Sequence, residues 1–127
     1  MSYTSKIPLS GIDGSANYSN AKGNHECVVL VQKVSDAPNT SSWKKGKKVM
    51  DCTRGEISTG MIIATFDYSG KYPATNRHAA IYESHDNTGI NVIDQWNKQG
   101  KAKRRKIALK KSAIRDVNDA NWYYIVD

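Results

Sequence analysis

The sequence is poor in cysteine and has no long hydrophobic run. Its two cysteines, Cys27 and Cys52, are too few for a disulfide framework and lack a metal-binding spacing such as Cys-x-x-Cys. The longest apolar runs, residues 27–31 and 61–64, fall far short of the roughly 18 residues that a membrane-spanning helix needs. We therefore expect no disulfide-stapled fold, no membrane segment, no metal site and no cofactor.

Low-complexity tracts, internal repeats and a secretion signal are also absent. The chain has 127 residues, of which 39% are hydrophobic, a composition typical of one globular domain. We assign residues 1–127 to a single domain with an irregular N-terminal arm over residues 1–22, which are rich in Ser, Gly and Asn. Residues 1–10 contain no apolar signal core, so we expect synthesis in the cytoplasm without a signal peptide.

Acidic residues are missing from residues 97–111, which hold eight Lys and Arg side chains of a protein with net charge +7. A second basic cluster spans residues 44–48 beside Trp43, so polyanion binding has to be considered. One interpretation is a solvated, lysine-protected edge strand. Another is a small nucleic-acid-binding module in which Arg104 and Arg105 contact phosphates. The basic run has no aromatic residue for base stacking and no recognised nucleic-acid-binding motif around it, which makes nucleic acid the less favoured partner.

Residues 24–34 carry the clearest helical pattern. Apolar residues recur at helical spacing in Cys27, Leu30, Val31 and Val34. Asn24 is suited to cap the start of such a helix, and Pro38 lies just beyond its end. The β-branched valines lower helix propensity, so propensity alone leaves a strand open, but the capped stripe favours a helix.

Short segments rich in β-forming residues follow the helix. They are residues 61–66, 77–83, 90–96, 106–110 and 122–126. Residues 85–89 have the length of a hairpin connection, which predicts that the segments on either side pair antiparallel. Residues 38–56 are predicted to be a surface connection with one short helical turn around residues 42–45. The pattern indicates an α+β fold, with the cysteine-bearing N-terminal helix packed on an antiparallel sheet of about five strands.

Three residues form a candidate catalytic group. Cys27 falls in the first turn of the predicted helix, where unpaired backbone N–H groups and the helix dipole stabilise a thiolate. His78 opens a strand, where it can take the thiol proton and later protonate a leaving amine. The hairpin register places Ala80 opposite Asp94, so Asp94 lies diagonally across from His78 and can orient its ring.

The supporting residues are less determined by the pattern. A shift of one residue in the hairpin register would present Gln95 to the histidine instead of Asp94. The backbone N–H of Cys27 is the natural first donor to an oxyanion, and Asn24 and Tyr18 are candidates for the second. The alternative for each member is structural: a small core cysteine, an isolated strand histidine and a solvated carboxylate near a turn.

These residues lie in sequence blocks that resemble a known family. The blocks are Gly23-Asn-His-Glu-Cys-Val-Val-Leu-Val-Gln32, Trp43-x-x-Gly46-x-x-Val49, Ile57-x-x-Gly60-Met-Ile-Ile-Ala-Thr-Phe66, His78-Ala-Ala-Ile-Tyr82 and Val92-Ile-Asp-Gln-Trp96. In this order they resemble the compact papain-like amidases of the NlpC and CHAP type. Within that group, residues 23–126 are similar to the second family of type VI secretion amidase effectors. The resemblance implies a papain-like fold of that type.

The resemblance also implies an activity and partners. It implies an antibacterial cysteine amidase that cuts peptide stems of peptidoglycan at the cross-link between meso-diaminopimelate and D-alanine. Cys27 would be the nucleophile, His78 the base and acid, and Asp94 the orienting residue. The third position departs from the wider NlpC type, which often has an imidazole or an amide there. The implied partners are the type VI secretion apparatus, which would deliver the protein into a rival cell's periplasm, and a cognate immunity protein.

The basic run acquires a second interpretation in that setting. Residues 98–111 would concentrate an enzyme on the anionic cell wall, with an attraction that weakens as salt rises. A catalytically silent wall-binding domain of the same architecture remains a further alternative, because fold analogy alone does not establish activity.

Overall fold

The computed structural model describes residues 2–127, in which one α-helix packs against a six-stranded antiparallel sheet. In chain order the elements are α1 (Cys27–Val34), β1 (Lys45–Lys48), β2 (Ile62–Thr65), β3 (Ala79–Asp86), β4 (Gly89–Asp94), β5 (Lys103–Ala108) and β6 (Tyr123–Val126). Short 3-10 turns lie at Leu9–Gly11, Thr40–Ser42, Val49–Asp51 and Ala120–Trp122. The α+β class and the helix-before-sheet order agree with the sequence prediction.

The strand order across the sheet is β1-β6-β2-β3-β4-β5, so β1 and β5 are its edges. Strand β1, Lys-Gly-Lys-Lys, was expected to be part of a connection because it has no apolar alternation. It forms by pairing with β6, and a Cβ on Gly46 would lie only 2.6 Å from the Ile125 carbonyl oxygen. Edge strands tolerate such polar sequences since one side of the strand faces solvent. The expectation of about five strands is corrected to six.

Helix α1 starts at Cys27, three residues after the predicted cap. Glu26 occupies the N-cap position and makes no side-chain capping hydrogen bond. Asn24 belongs to a preceding turn, in which its backbone N–H donates to the Asn20 side chain and its carbonyl accepts from the Asn20 N–H. The prediction that Asn24 caps the helix is therefore wrong, but Cys27 is the first helical residue, as the site requires.

Hydrophobic clusters cover both faces of the sheet. The first cluster joins Leu30, Val31 and Val34 of α1 to Ile62 and Ile81. The second lies on the opposite face and includes alternate residues of the same strands together with the segment around Cys52. Its main members are Val49, Cys52, Ile57, Ile63, Ala80, Tyr82, Val92 and Tyr123. Burial on both faces explains why β2 reads as a continuous apolar run instead of an alternating one.

The β3–β4 hairpin is tighter than predicted. The strands extend to Asp86 and from Gly89, which leaves a two-residue turn in place of the expected connection over residues 85–89. An irregularity between Tyr82 and Ser84 then shifts the register by one residue. Beyond it Ile81 pairs with Ile93, and continuing that register puts Ala80 opposite Asp94. The predicted pairing near the site therefore holds, because the bulge offsets the shorter turn.

The N-terminal arm is irregular over most of residues 2–22, while Met1 lies outside the described residues. Its exceptions are the 3-10 turn at Leu9–Gly11 and a bridge between Thr4 and Met61. Ile12 is fully buried in the first cluster, so the arm packs as part of the domain. Over residues 2–127, no helix has the length and apolarity to cross a membrane.

Candidate active site

The nucleophile candidate lies at the entrance to a cavity of about 320 Å³. Cys27 is partly exposed, and its Sγ lies 3.8 Å from the Tyr72 hydroxyl. Its position at the start of α1 puts the unpaired first-turn N–H groups and the positive end of the helix beside the thiol. The other residues that line the cavity are Glu26, Val28, Thr40, Tyr72, Arg77, His78, Trp96 and Asn97.

Hydrogen bonds hold both the backbone and the ring of His78 in place. Its N–H donates to Thr65 Oγ1 at 3.0 Å, and its carbonyl accepts from the Thr65 N–H at 3.0 Å. The side chain is 7% exposed, and Nε2 donates to Asp94 Oδ2 at 2.6 Å. Because Nε2 is occupied by Asp94, the nitrogen left for the Cys27 thiol is Nδ1.

Asp94 ends β4, is fully buried and is shared between two cations. Besides the His78 ring, its carboxylate accepts from Arg105 Nε at 2.8 and 3.0 Å and pairs with Arg105 Nη2 at 2.7 Å. The Arg105 guanidinium also lies over the Trp96 ring, 5.1 Å from its centre. Two hydrogen-bonded cations compensate the cost of burying this carboxylate and hold it in one orientation.

Arg105 belongs to this site although it lies in the basic run of the sequence. A signal did exist, since Arg105 is opposite Val92 in the β4–β5 ladder and is therefore diagonal to Asp94 on the same face. This register could be recognised only if β5 was known to start at Lys103, three residues before the start of the predicted segment. Tyr72 carried no signal, because it comes from the loop between β2 and β3.

The electrostatics favour a thiolate and imidazolium pair. Burial raises the pKa of the Cys27 thiol, but the hydrogen bond and charge of His78 outweigh this and leave the pKa below its usual value. Burial disfavours the imidazolium, yet the hydrogen bonds to Asp94 and Cys27 raise the His78 pKa to about 9. Burial also raises the pKa of Tyr72, which stays a neutral phenol able to donate to the thiolate. The site can therefore hold a charged nucleophile and a proton donor together at neutral pH.

The predicted supporting residues are placed differently from Cys27, His78 and Asp94. Gln95 is fully buried, and its side-chain amide donates to the carbonyls of Tyr18 at 2.7 Å and Glu26 at 3.0 Å. Both amide hydrogens are thus used to hold the N-terminal arm against the start of α1. The Tyr18 side chain packs against the first hydrophobic cluster. Asp94, not Gln95, meets His78, and neither Tyr18 nor Asn24 is among the residues that line the cavity.

A second cavity of about 400 Å³ continues the site past the histidine. It shares Arg77, His78 and Trp96 with the first cavity and is completed by Arg105, Val117 and Asn118. The two together form an open cleft with Cys27 in one part and a cationic part beyond His78. A larger cavity of about 430 Å³, lined by Tyr82 and His85 among others, lies away from these residues and contains no cysteine side chain.

Half of the basic run is neutralised by ion pairs. Arg104 pairs with Glu83 and Asp13, Arg105 with Asp94, Lys106 with Asp86 and Lys110 with Asp116. Arg104 and Arg105, the two phosphate contacts of a nucleic-acid-binding module, are thus already occupied by carboxylates. Four lysines of the run have no ion pair among residues 2–127: Lys98, Lys101, Lys103 and Lys111.

Comparisons with known proteins point to one group. Residues 4–126 match the family described as "Domesticated amidase effector 2". The chain is 34% identical to the "Type VI secretion amidase effector 2 protein" of Salmonella typhi, over 87% of this chain and 97% of that protein. It is 39% identical to "Domesticated amidase effector 2" of Ixodes scapularis, over 79% of this chain and 70% of that protein.

A solved structure agrees with the sequence matches. The "Type 6 secretion amidase effector 2 (Tae2)" superposes with a TM-score of 0.76 at 28% identity, covering 97% of this chain and 93% of that one. The similarity confirms the papain-like α+β fold expected from the sequence blocks. It also extends over the whole cleft that holds the cysteine, the histidine and the aspartate.

Proposed function

The chain belongs to the domesticated amidase effector 2 family, and from that premise we propose that it is a cysteine amidase that hydrolyses peptide stems of bacterial peptidoglycan. The observation that carries the proposal is the aligned series Cys27, His78 and Asp94. In it a lowered thiol pKa and a raised imidazole pKa meet at the edge of a cleft. A cysteine with a purely structural role does not need a neighbouring imidazolium that lowers its pKa.

The residues suggest a two-step reaction. The Cys27 thiolate attacks the scissile carbonyl carbon, and the new S–C bond leaves the negative charge on the carbonyl oxygen, beside the Cys27 backbone N–H. Collapse of this intermediate breaks the C–N bond, and His78 Nδ1 gives its proton to the leaving amine. His78 then takes a proton from water as the water oxygen attacks the thioester, which releases the new carboxylate and regenerates the thiolate.

Asp94 and Arg105 act on the histidine and not on the substrate. The Asp94 carboxylate accepts a hydrogen bond from the His78 Nε2–H and so fixes the ring. Nδ1 therefore faces the thiolate throughout the cycle. Arg105 holds the same carboxylate, with its shortest contacts to Oδ2, the oxygen that also accepts from His78. The Tyr72 hydroxyl, 3.8 Å from Sγ, steadies the thiolate before attack.

The family setting refines the proposal. We place the scissile bond at the cross-link between meso-diaminopimelate and D-alanine. The protein would be exported by a type VI secretion apparatus and released into the periplasm of a competing cell. A cognate immunity protein would protect the producer by covering the cleft around Cys27 and His78.

The test is digestion of sacculi. Wild-type protein and the variants Cys27→Ala and Cys52→Ala are incubated with peptidoglycan of the diaminopimelate type, and released muropeptides are identified by mass spectrometry. We expect cross-linked dimers to be lost and tetrapeptide monomers gained with wild type and Cys52→Ala, but not with Cys27→Ala. Cleavage by Cys27→Ala would refute cysteine catalysis, and intact sacculi in all three samples would favour a silent wall-binding domain.

A further inference from the structure

A cationic side chain lies where the two parts of the cleft meet. Arg77 directly precedes His78, is exposed and lines both cavities. Its guanidinium lies 5.3 Å from the centre of the Tyr72 ring, and one N–H donates to the Pro73 carbonyl at 3.3 Å. No carboxylate pairs with Arg77 among residues 2–127, in contrast to Arg104 and Arg105. Most of its N–H donors are therefore available to a ligand.

The backbone that carries Arg77 is fixed in place. Asn76 adopts a φ of +50°, and its side-chain amide donates to the Arg115 carbonyl at 2.6 Å. In return Arg115 donates to the carbonyls of Asn76 and Thr75, each at 3.2 Å. These reciprocal bonds tie the segment before Arg77 to the segment that leads into the opposite wall of the second cavity.

No carboxylate among residues 2–127 lines the second cavity. Its other cation, Arg105, is committed to Asp94, so Arg77 supplies the one guanidinium of that lining without an ion pair. Glu26, the acidic residue of the cleft, lines only the first cavity. A guanidinium in such surroundings favours a carboxylate, which it can bind through two parallel N–H···O bonds.

We infer that Arg77 binds a carboxylate of the substrate next to the scissile amide, and that the second cavity accepts the residue that carries it. The inference rests on the proposed function and adds a substrate class, acidic peptides, to it. Arg77 is then the residue by which the enzyme distinguishes a free carboxylate from its amide.

The experiment compares substrates that differ by one charge. Synthetic cross-linked stem-peptide dimers are prepared with all carboxylates free, and with each carboxylate in turn replaced by a carboxamide. We expect one carboxamide to lower the wild-type kcat/KM by about 10- to 100-fold, and Arg77→Gln to cause the same loss on the free acid. On that carboxamide Arg77→Gln should have no further effect, since the interaction is already absent.

The controls separate recognition from positioning of His78. Arg54→Gln removes another exposed arginine without an ion pair among residues 2–127, outside the cleft, and should leave kcat/KM unchanged on every substrate. Alkylation of Cys27 by iodoacetamide should keep its rate and pH profile in Arg77→Gln. An equal loss on all substrates, or none on any, overturns the inference. Titration of the dimers into Cys27→Ala protein tests the same charge preference in binding alone, so it stands even if wild type cleaves nothing.

A different observation bears on the oxyanion. Asn97 lines the cavity that holds Cys27, and its Oδ1 accepts the His25 backbone N–H at 2.7 Å. This bond fixes which end of the amide is oxygen and leaves the Nδ2 hydrogens without a partner among residues 2–127. Gln95, the predicted support residue in the same segment, has both of its amide hydrogens bound to carbonyls.

We propose that Asn97 Nδ2 is the second oxyanion donor, working with the Cys27 N–H. Donors of this kind stabilise charge that forms only as the thiolate attacks, so their loss lowers kcat more than it raises KM. Like the first inference, this one depends on the proposed amidase reaction.

Two variants test it. Asn97→Asp keeps an oxygen for the His25 N–H but has no amide hydrogens, while Asn97→Ala loses both. We expect kcat to fall by about 100- to 1,000-fold in both, with KM changing by less than about 3-fold. Alkylation of Cys27 by iodoacetamide, which forms no oxyanion, should stay within a few-fold of wild type when compared at the pH plateau. Retained turnover in Asn97→Asp beside lost turnover in Asn97→Ala would show that Asn97 only holds His25, and would overturn the proposal.

Discussion

Two buried histidines lie at opposite ends of β3, each near a cysteine residue, and only one of them belongs to the proposed active site. His78 and His85 are 7% and 8% exposed. His78 donates to a buried carboxylate, and its charge lowers the pKa of the nearby Cys27 thiol. His85 accepts from the Tyr82 hydroxyl at 2.6 Å and donates to the Cys52 carbonyl at 2.7 Å. The second histidine thus has both nitrogens occupied by neutral partners.

The cysteines differ in the same way. Burial and the nearby Glu56 carboxylate raise the pKa of Cys52, whose Sγ donates to the Lys48 carbonyl at 3.4 Å. Cys27 instead has an imidazolium, a phenol and a helix start around its sulfur. The residue types are the same in the two regions and both histidines are buried, so neither residue type nor a buried histidine makes a cysteine reactive. What differs is a ring nitrogen left free for the thiol and a carboxylate behind the ring.

The test with the largest expected effect replaces each of the two histidines by alanine in turn. His78→Ala removes the proton donor and should lower kcat by about 1,000-fold or more while the protein stays folded. His85→Ala leaves Tyr82 and Cys52 without a buried partner and should cost about 2–4 kcal/mol of unfolding free energy, with near-normal kcat in the folded fraction. Muropeptide release and urea unfolding measure the two effects. Strong loss of turnover in well-folded His85→Ala would contradict the comparison.

The two cysteines should react with iodoacetamide at different rates at pH 7. Because the pKa of Cys27 is lowered and that of Cys52 is raised, we expect Cys27 to react faster by about 10-fold or more. Peptide mapping after timed alkylation measures both rates in one sample. Equal rates would show that Cys27 is not a thiolate at neutral pH.

The same charges predict the pH profile of hydrolysis. The His78 pKa is raised from 6.5 to about 9, so the proton needed by the leaving amine is lost as pH rises through that value. Turnover should therefore fall above pH 9, and on the acid side it should fall as the Cys27 thiolate is protonated. Single-turnover rates across the pH range measure both sides of the profile. A loss of turnover on the alkaline side centred near pH 6.5 would mean that Asp94 does not raise the His78 pKa.

A smaller effect distinguishes two neighbouring arginines. Arg105→Gln removes one of the two cations that hold the buried Asp94, and we expect kcat to fall about 10-fold and stability to fall by about 1–3 kcal/mol. Arg104→Gln removes the same charge from an exposed pair with Glu83 and should leave kcat and melting temperature nearly unchanged. Equal behaviour of the two variants would show that Arg105 does not hold Asp94 in place for the reaction.

The smallest effect concerns the cell wall. Four lysines without an ion pair among residues 2–127 are available for anionic peptidoglycan, and replacing all four by Gln should lower retention on sacculi by about 2- to 5-fold at low salt. They are Lys98, Lys101, Lys103 and Lys111. Turnover of a soluble stem-peptide dimer should not change. Unaltered co-sedimentation with sacculi would assign these lysines to solvation alone.

Much of the central site was predictable because its members belong to regular elements. The apolar stripe fixes which face of α1 is buried and puts Cys27 in its first turn. The apolar segments flanking a turn predict the β3–β4 pair that brings His78 and Asp94 together. The predicted register was right near the site although the turn was wrong, since the bulge at Tyr82 and Ser84 cancelled the error.

The residues that complete the site come from segments whose sequence has no helical or strand periodicity. Tyr72 and Arg77 lie in a loop, and Asn97 follows the end of β4. Arg105 lies in a run of cations, and only the true start of β5 at Lys103 shows that it shares a face with Asp94. Strand β1 is all Lys and Gly and is a strand only because β6 offers it a partner.

The sequence by itself determined the helix with its cysteine, the sheet-forming segments and the family, because these depend on local periodicity and on blocks of residues. The tertiary structure decided that Asp94 and not Gln95 meets His78, that Arg105 holds Asp94, and that the Gln95 amide donates to two backbone carbonyls. It also decided that His78, and not His85, is the histidine with a nitrogen free for a thiol. Those outcomes follow from register, bulges and long-range hydrogen bonds, which bring together groups whose spacing along the chain carries no pattern.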